Sequence, residues 1–380
     1  MHHVYQRSLV EISKSAFAHN VSQLRTLMAP KTVFAPVLKV NAYGHGLHEM
    51  AAWCQENPQI DWICVALLSD AFALRTQGIT KPILVIGSID TNPTPALHHN
   101  IHLFVYSLEQ AHTLHTIAMA HHAQFLIHCK VDTGLSRLGF LYTHAVSDIQ
   151  KIAALSGLAI AGVYSHLAQA QAENPQFSQL QISRFQTVIA QLRTQQINPA
   201  YIHISNSAAT MRFAIPECNL FRIGAAVYGL WPSAQTKKEV LSQDPNFSLK
   251  PVLSWKSNIM HIQHVDTGSF IGYNCTHQIT RPSKIAVIPV GYHDGYDIQL
   301  SNNAQVIIHG QIAPVVGRIC MNHMMVDITE LFASIGDEVE LVGHTPPIDA
   351  YSIAKLTGNN NVRELLTHIN PNFERKIIDY

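Results

Sequence analysis

Over roughly the first two thirds of the chain, short apolar runs rich in β-formers alternate with stretches whose apolar residues recur at helical spacing. The runs 33–40 (VFAPVLKV), 62–67 (WICVAL), 82–87 (PILVIG), 101–106 (IHLFVY), 124–131 (QFLIHCKV), 159–165 (AIAGVYS), 201–204 (YIHI) and 219–223 (NLFRI) read as strands. Between them, Phe17, Val21, Leu24 and Met28 share one helical face, and Ser107 with Gln110 makes a capping box ahead of another helix. Strands that are apolar at nearly every position are buried on both faces. In a strand–helix alternation that means a parallel sheet. About eight such units predict a closed (β/α)8 barrel of the TIM type rather than an open sheet.

The stretch 232–251 (PSAQTKKEVLSQDPNFSLKP), rich in Pro, Ser and charge, reads as a linker. Beyond it the helical alternation stops. Runs at 284–290, 304–308, 312–327 and 337–342 predict a mainly-β domain, closed by two short helices near 350–357 and 362–369. The expected division is an N-terminal strand over 1–12 that packs with the C-terminal domain, a barrel over 13–240, and a C-terminal β domain over 241–380.

Composition narrows the function classes. The 380 residues carry 25 Lys+Arg against 25 Asp+Glu, so there is no electrostatic footprint for nucleic acid and no basic face for an anionic membrane. With 47% hydrophobic residues and 13% charged, the chain is not of disordered type. No apolar run approaches the roughly 18 residues of a membrane span, and the start MHHVYQRS lacks a signal-peptide core, so a cytoplasmic protein is expected. Six cysteines (Cys54, Cys64, Cys129, Cys218, Cys275, Cys320) stand without CxxC spacing and read as reduced thiols. Among 24 histidines there is no HExxH; His48-Glu49 begins that pattern, but Ala52 stands where its second His belongs, and no metal is expected.

In a (β/α) barrel the chemistry sits at the carboxyl ends of the strands. There the first run delivers Lys39 and then Asn41-Ala42-Tyr43-Gly44-His45-Gly46. The fifth delivers Lys130 and Asp132 through Arg137, the sixth Ser165-His166, the seventh Ser205-Asn206-Ser207, and the eighth Arg222 with Gly224-Ala225. Singly, a lysine or arginine at a strand end is usually a snorkelling surface charge, and a histidine in an apolar run is usually a satisfied core residue. Convergence of five such ends on one mouth favours chemistry. A lysine with a partly dehydrated stem near cations has a lowered pKa, as Schiff-base chemistry requires. Glycine after the last strand, with the hydroxyls of Ser207 and Tyr43, suits a phosphate, and a lysine opposite a phosphate site points to pyridoxal phosphate.

These residues resemble the alanine racemase family. Val37-Leu38-Lys39-Val40-Asn41-Ala42-Tyr43-Gly44-His45-Gly46 matches its pyridoxal-phosphate signature. Further matches follow in register: Lys130 through Gly134, Arg137-Leu138-Gly139, Ser165-His166, Asn206-Ser207-Ala208-Ala209, Arg222-Ile223-Gly224, Tyr228-Gly229, Ile271-Gly272-Tyr273, Gly291 through Tyr296, and Gly317 through Met321. The likeness spans essentially the whole chain. It implies a barrel followed by a β domain, in a head-to-tail homodimer with shared active sites. By the same resemblance, Lys39 carries the cofactor covalently, and Tyr43, Ser207 and the Gly224 and Ala225 amides hold its phosphate, with Asn206 also at the cofactor site. His166 would lie against the pyridine ring, Arg222 on the ring nitrogen, and Arg137 near the phenolic oxygen and the substrate carboxylate. Met321 would meet that carboxylate through its backbone, and Lys130 is a position often carbamylated in the family. Tyr273 of a partner subunit would be the second base, made acidic enough by His166 backed by Arg222.

Two places depart from the family pattern. Asn322 stands where an aspartate is usual. Where a Tyr-Glu pair usually brings a tyrosine to the phosphate, this chain has the stretch Asn359-Asn360-Asn361-Val362-Arg363-Glu364, one residue longer. In it Arg363 either contacts phosphate or substrate or, the reading preferred from sequence, only caps a helix. The implied function is interconversion of L- and D-alanine by a two-base mechanism, supplying D-alanine for peptidoglycan. An alternative is a broader or serine-preferring racemase of the same fold. A non-catalytic cofactor-binding barrel would lack the β domain that brings Tyr273, and a related decarboxylase would carry an acidic residue where this chain has Arg222.

Overall fold

Eight strands of the computed structural model, which describes residues 7–358 and 360–379, repeat the predicted parallel pattern. Strand β1 (Ser8–Ser13) belongs elsewhere. The parallel strands are β2 (Val33–Pro36), β3 (Ile63–Leu67), β4 (Ile83–Ser88), β5 (Ile101–Val105), β6 (Phe125–Asp132), β7 (Leu158–Tyr164), β8 (Tyr201–His203) and β9 (Leu220–Ile223). Strands β3 to β8 pair in sequence order, and β9 pairs with β2. The remaining seams are closed by single contacts. Leu38 N donates to Cys64 O (2.8 Å) beside a parallel bridge between Val37 and Cys64, and Asn219 N donates to Ile202 O (3.0 Å). The result is a (β/α)8 barrel, with Ala35, Val37, Trp62, Cys64, Leu84 and Leu220 in one of its buried clusters.

Local chemistry explains most element ends. Ser107 caps the helix Leu108–Ala120 by accepting from Gln110 N (3.2 Å), but the Gln110 side chain takes Tyr106 N (3.1 Å) rather than closing the expected box on Ser107. After β4 only a short 3₁₀ turn, Thr94–His98, replaces a full helix. The supposed linker 232–251 is a correction, because it contains the helix Ala234–Gln243. Ser233 caps that helix through Thr236 N (3.1 Å), Thr236 and Val240 are buried four residues apart, and Glu239 pairs with Arg212 (2.6 Å). A narrow apolar stripe with a wide solvated face looks like a linker when only composition is weighed.

Contacts divide the chain into two units. The barrel unit comprises Phe17–Lys39 and Met50–Lys250; the other comprises Val40–Glu49 with the residues before Phe17 and after Lys250. Within this second unit β1 lies between β10 (Leu253–Asn258), to which it is antiparallel, and β17 (Glu374–Ile378), to which it is parallel. Of the predicted N-terminal strand 1–12, residues 1–6 lie outside the described residues. The six-stranded sheet is completed by β13 (Gln305–Ile308), β14 (Gln311–Pro314) and β16 (Glu338–Val342). A second, antiparallel sheet joins β11 (His261–Val265), β12 (Ser283–Ile288) and β15 (Met324–Asp327). Trp255 and Tyr296 are fully buried in this unit with ring centroids 5.9 Å apart.

Candidate active site

The barrel unit gathers cations at the carboxyl ends of its strands. Lys130 is 4% exposed on β6, and burial, followed by Arg137 and Arg222, lowers its pKa to about 8. His166, just beyond β7, is pushed down to about 3 by burial and then by Arg222, Arg137, Lys130 and Lys39. Its imidazole is therefore neutral at pH 7 and has four cations for neighbours. The loop that carries Arg137 is shaped by Asp132, whose Oδ1 accepts from Gly134 N (2.8 Å), Leu135 N (2.9 Å) and Ser136 N (3.1 Å). Asn206 caps the helix Ser207–Arg212 by accepting from Ala209 N (3.0 Å). That cap sets Ser207, whose Oγ accepts from Gly224 N (3.0 Å) and Ala226 N (3.4 Å), with Ala225 buried between them.

Arg222, 3% exposed, is held by a chain of groups that the sequence did not single out as chemistry. Its Nη2 donates to Ser165 O (2.8 Å), and its Nη1 bonds His203 Nδ1. His203 Nε2 meets His128 Nδ1 (2.7 Å), and His128 Nε2 meets His102 Nδ1 (3.0 Å). A guanidinium can only donate, so it fixes every tautomer along the row. His203 accepts at Nδ1 and carries its proton on Nε2; His128 and His102 follow in the same sense. Burial keeps all three neutral, lowering His102 to about 4 and the other two well below the ordinary imidazole value. Tyr164 stacks flat on His203, with ring centroids 4.9 Å apart and 3° between the planes. The signal was present in the strands, since His128 lies two residues before Lys130 and so faces the same way. An isolated histidine in an apolar run does not announce a row.

This row makes the barrel acid-sensitive. The three imidazoles have depressed pKa values when folded and about 6.5 when unfolded. The unfolded chain therefore binds protons that the folded chain excludes, and stability falls as pH drops from about 6.5 towards 4, by about 1.4 kcal/mol per pH unit for each excluded proton. His128→Leu should destabilise the barrel by about 3 kcal/mol at neutral pH, because it strands buried imidazole atoms on both sides. It should also flatten the acid slope. Urea midpoints measured across that pH range check both.

In the second unit the backbone after Lys39 turns left-handed. Val40, Asn41, Ala42 and Tyr43 have φ of 53°, 51°, 51° and 55°, which ends the predicted strand 33–40 at Pro36. Each such residue costs about 1–2 kcal/mol, and strain of this kind persists only where the surroundings impose it. Tyr43 is buried and its phenol is pushed up to about 12 by that burial, against the pull of the Arg363 charge. Its hydroxyl is a proton donor at any physiological pH.

Tyr273 is 68% exposed, in the short turn Tyr273–Cys275 between the paired residues Phe270–Ile271 and His277–Gln278. With Tyr292, Arg318, Met321 and His368 it lines a concavity of about 790 Å³. At Gly291 a Cβ would stand 2.2 Å from Cys320 O, so the backbone there lies directly on Cys320–Met321. Tyr292 N donates to Cys320 O (3.1 Å) and His293 N to Met321 O (3.0 Å). The structure thus groups Lys39, Lys130, Arg137, His166 and Arg222 in one unit, along with Ser207 and Gly224. It places Tyr43 with Arg363, and Tyr273 with Met321, in the other.

Comparison with known proteins decides the family. Residues 12–232 match the alanine racemase N-terminal domain and residues 252–377 the alanine racemase C-terminal domain. The chain belongs to the alanine racemase family. An alanine racemase of Methanococcus maripaludis is 38% identical over 336 residues, 88% of either chain. The solved alanine racemase of Clostridium difficile 630 superposes with a TM-score of 0.91 at 30% identity, covering 98% of this chain and 96% of that one. A histidine racemase of Leuconostoc mesenteroides superposes at 0.86 with 26% identity over 99% of each. No helix among the described residues is long and apolar enough to cross a membrane.

Proposed function

We propose that the protein is a pyridoxal-phosphate-dependent alanine racemase that works as a homodimer, with Lys39 and the Tyr273 of a partner subunit as its two bases. The observation that carries this reading is the cation cluster around a neutral His166, which ends with an arginine that can only donate. The donor set fits pyridoxal phosphate. Tyr43 is a protonated phenol, and Ser207 Oγ already gathers two backbone N–H groups, the kind of nest that takes a phosphate. Lys39 would hold the cofactor's aldehyde, Tyr43, Ser207 and the Gly224 and Ala225 amides its phosphate, with Asn206 fixing Ser207 from the helix cap. His166 would lie against the ring. Arg363, whose charge reaches the Tyr43 hydroxyl, would add a cation to the phosphate site.

When bound, the cofactor withdraws electrons from the Cα of an attached amino acid and so acidifies its Cα–H. Arg222 would donate to the ring nitrogen and, unlike a carboxylate, cannot accept that nitrogen's proton, so the ring would stay unprotonated there, which would keep the withdrawal moderate and disfavour side reactions. Arg137 and the Met321 backbone orient the substrate carboxylate. Racemisation needs a proton taken from one face of Cα and another returned to the opposite face, so two groups are required. The Lys39 amine serves one face and the Tyr273 phenol the other. An exposed tyrosine on a concave rim suits a residue completed by a second chain.

Lys130 has a place in this scheme. A buried amine with a pKa near 8, between Arg137 and Arg222, is partly neutral at working pH and can attack CO₂. The new N–C bond yields a carbamate, the departing proton goes to solvent, and a cation beside Arg137 becomes an anion. A ¹³CO₂-derived carbamate resonance that disappears in Lys130→Ala is the expected result, with activity reduced about tenfold or more. The likeness to a histidine racemase supports a second reading, a racemase with wider substrate range, in which the loss of charge at Asn322 admits other side chains. On the first reading the product is D-alanine made in the cytoplasm for peptidoglycan. Borohydride reduction of the loaded protein, followed by peptide mapping, tests the assignment: a pyridoxyl group on Lys39 supports it, and one on any other lysine contradicts it.

A further inference from the structure

Four left-handed residues in succession need an external clamp, and the C-terminal segment provides one. Arg375 of β17 is buried, yet the described structure gives it backbone carbonyls as hydrogen-bond acceptors. Its Nε and Nη2 donate to Gly44 O (3.3 and 3.0 Å), and its Nη1 reaches Asn370 O (2.9 Å), Pro371 O (2.9 Å) and Phe373 O (2.5 Å). Burying a guanidinium is expensive unless its charge and protons are met, and here the Glu49 carboxylate offsets the charge while the fork bridges the end of the turn to the 370–373 bend. The helix Val362–His368 presses on the same place. Gly44 has φ +87°, and a Cβ there would stand 2.1 Å from Leu366 O. Inside the turn, Gly44 N donates to Asn41 O (3.0 Å), Gly46 N donates to Asn41 O (3.1 Å), and Asn41 Oδ1 accepts from Leu47 N (2.8 Å).

We propose that Arg375 is a positioning residue for the cofactor: it latches Gly44 and so holds the left-handed turn that sets Tyr43 and begins directly after Lys39. This rests on the reading of Tyr43 and Lys39 as cofactor-holding residues. The hydrogen bonds from Arg375 to Gly44 and the 370–373 bend are to backbone carbonyls, so its proposed action is through the turn.

The test combines two measurements on wild type, Arg375→Ala and Arg375→Lys. The first is hydrogen exchange of the Gly44–Leu47 amides in protein stripped of cofactor. The second is the rate of pyridoxal phosphate release from loaded protein. Arg375→Ala should speed exchange at those amides and cofactor release by at least about tenfold each, with protection elsewhere in the C-terminal unit retained. Millimolar guanidinium should restore part of both, and Arg375→Lys should fall between. If Arg375→Ala does not fold, Arg375→Lys is read in the same two assays. Unchanged exchange and release, or exchange raised evenly along the chain, overturns the proposal. A wild type that takes up no pyridoxal phosphate contradicts the functional reading instead, while the exchange experiment still decides whether Arg375 holds the turn.

Discussion

Lys39→Ala is expected to lower alanine racemisation by about 10⁴-fold or more, since it removes both the covalent tether and one of the two bases. The barrel should remain folded, because Lys39 is exposed three residues beyond β2, while the buried contacts of this stretch are made by Phe34, Ala35 and Val37. Circular dichroism and a melting curve close to wild type, with no borohydride-stable adduct, would complete the result. Exogenous alkylamines should return part of the lost rate by supplying the proton acceptor from solution. Near-normal turnover in this variant would remove the amine from the mechanism.

Tyr273→Phe is expected to cost about 10²–10⁴-fold, the usual worth of a positioned acid or base. Its effect should be one-sided. In D₂O, exchange of the Cα hydrogen should survive for the enantiomer whose proton faces Lys39 and vanish for the other, while the cofactor stays bound. Equal residual exchange from both enantiomers contradicts a two-base assignment. Because Tyr273 is proposed to act on a partner's site, the two inactive chains should complement each other. Random mixing of Lys39→Ala and Tyr273→Phe chains places one intact site in half of the dimers, which gives about a quarter of wild-type activity for a two-fold dimer. No recovery from dimers shown to have exchanged subunits argues that each chain completes its own site.

The barrel was legible because its strands are buried on both faces, and nearly continuous apolar runs such as 82–87 and 101–106 have few other solutions. The cationic mouth was legible for a related reason: a lysine or arginine closing such a run has nowhere to go but the strand end. Three features were not. The helix Ala234–Gln243 buries little more than Thr236 and Val240, so polar composition concealed its period. The left-handed turn after Lys39 is written with Val, Asn, Ala and Tyr, residues that prefer other backbone regions; only Gly44 and Gly46 hint at it, and the clamp that enforces it lies more than 300 residues away. The row from His102 to Arg222 draws one residue from each of four strands, so its meaning depends on barrel closure rather than on any local pattern.

On the proposed reading, Arg363 and Asn322 are the positions where this chain departs from the family pattern. The first sets a cation near the Tyr43 hydroxyl, and the second removes a charge next to Met321. In the proposed site both would favour anionic groups, the cofactor phosphate in one case and the substrate carboxylate in the other.

The most direct test of the central claim is to load the purified protein with pyridoxal phosphate, supply L-alanine in D₂O beside serine and histidine, and separate the products on a chiral column. The expected result is D-alanine approaching equal amounts with L-alanine, deuterated at Cα, at a rate well above that for the other two. Loaded protein that leaves L-alanine optically unchanged, or that racemises serine or histidine in preference, contradicts the account.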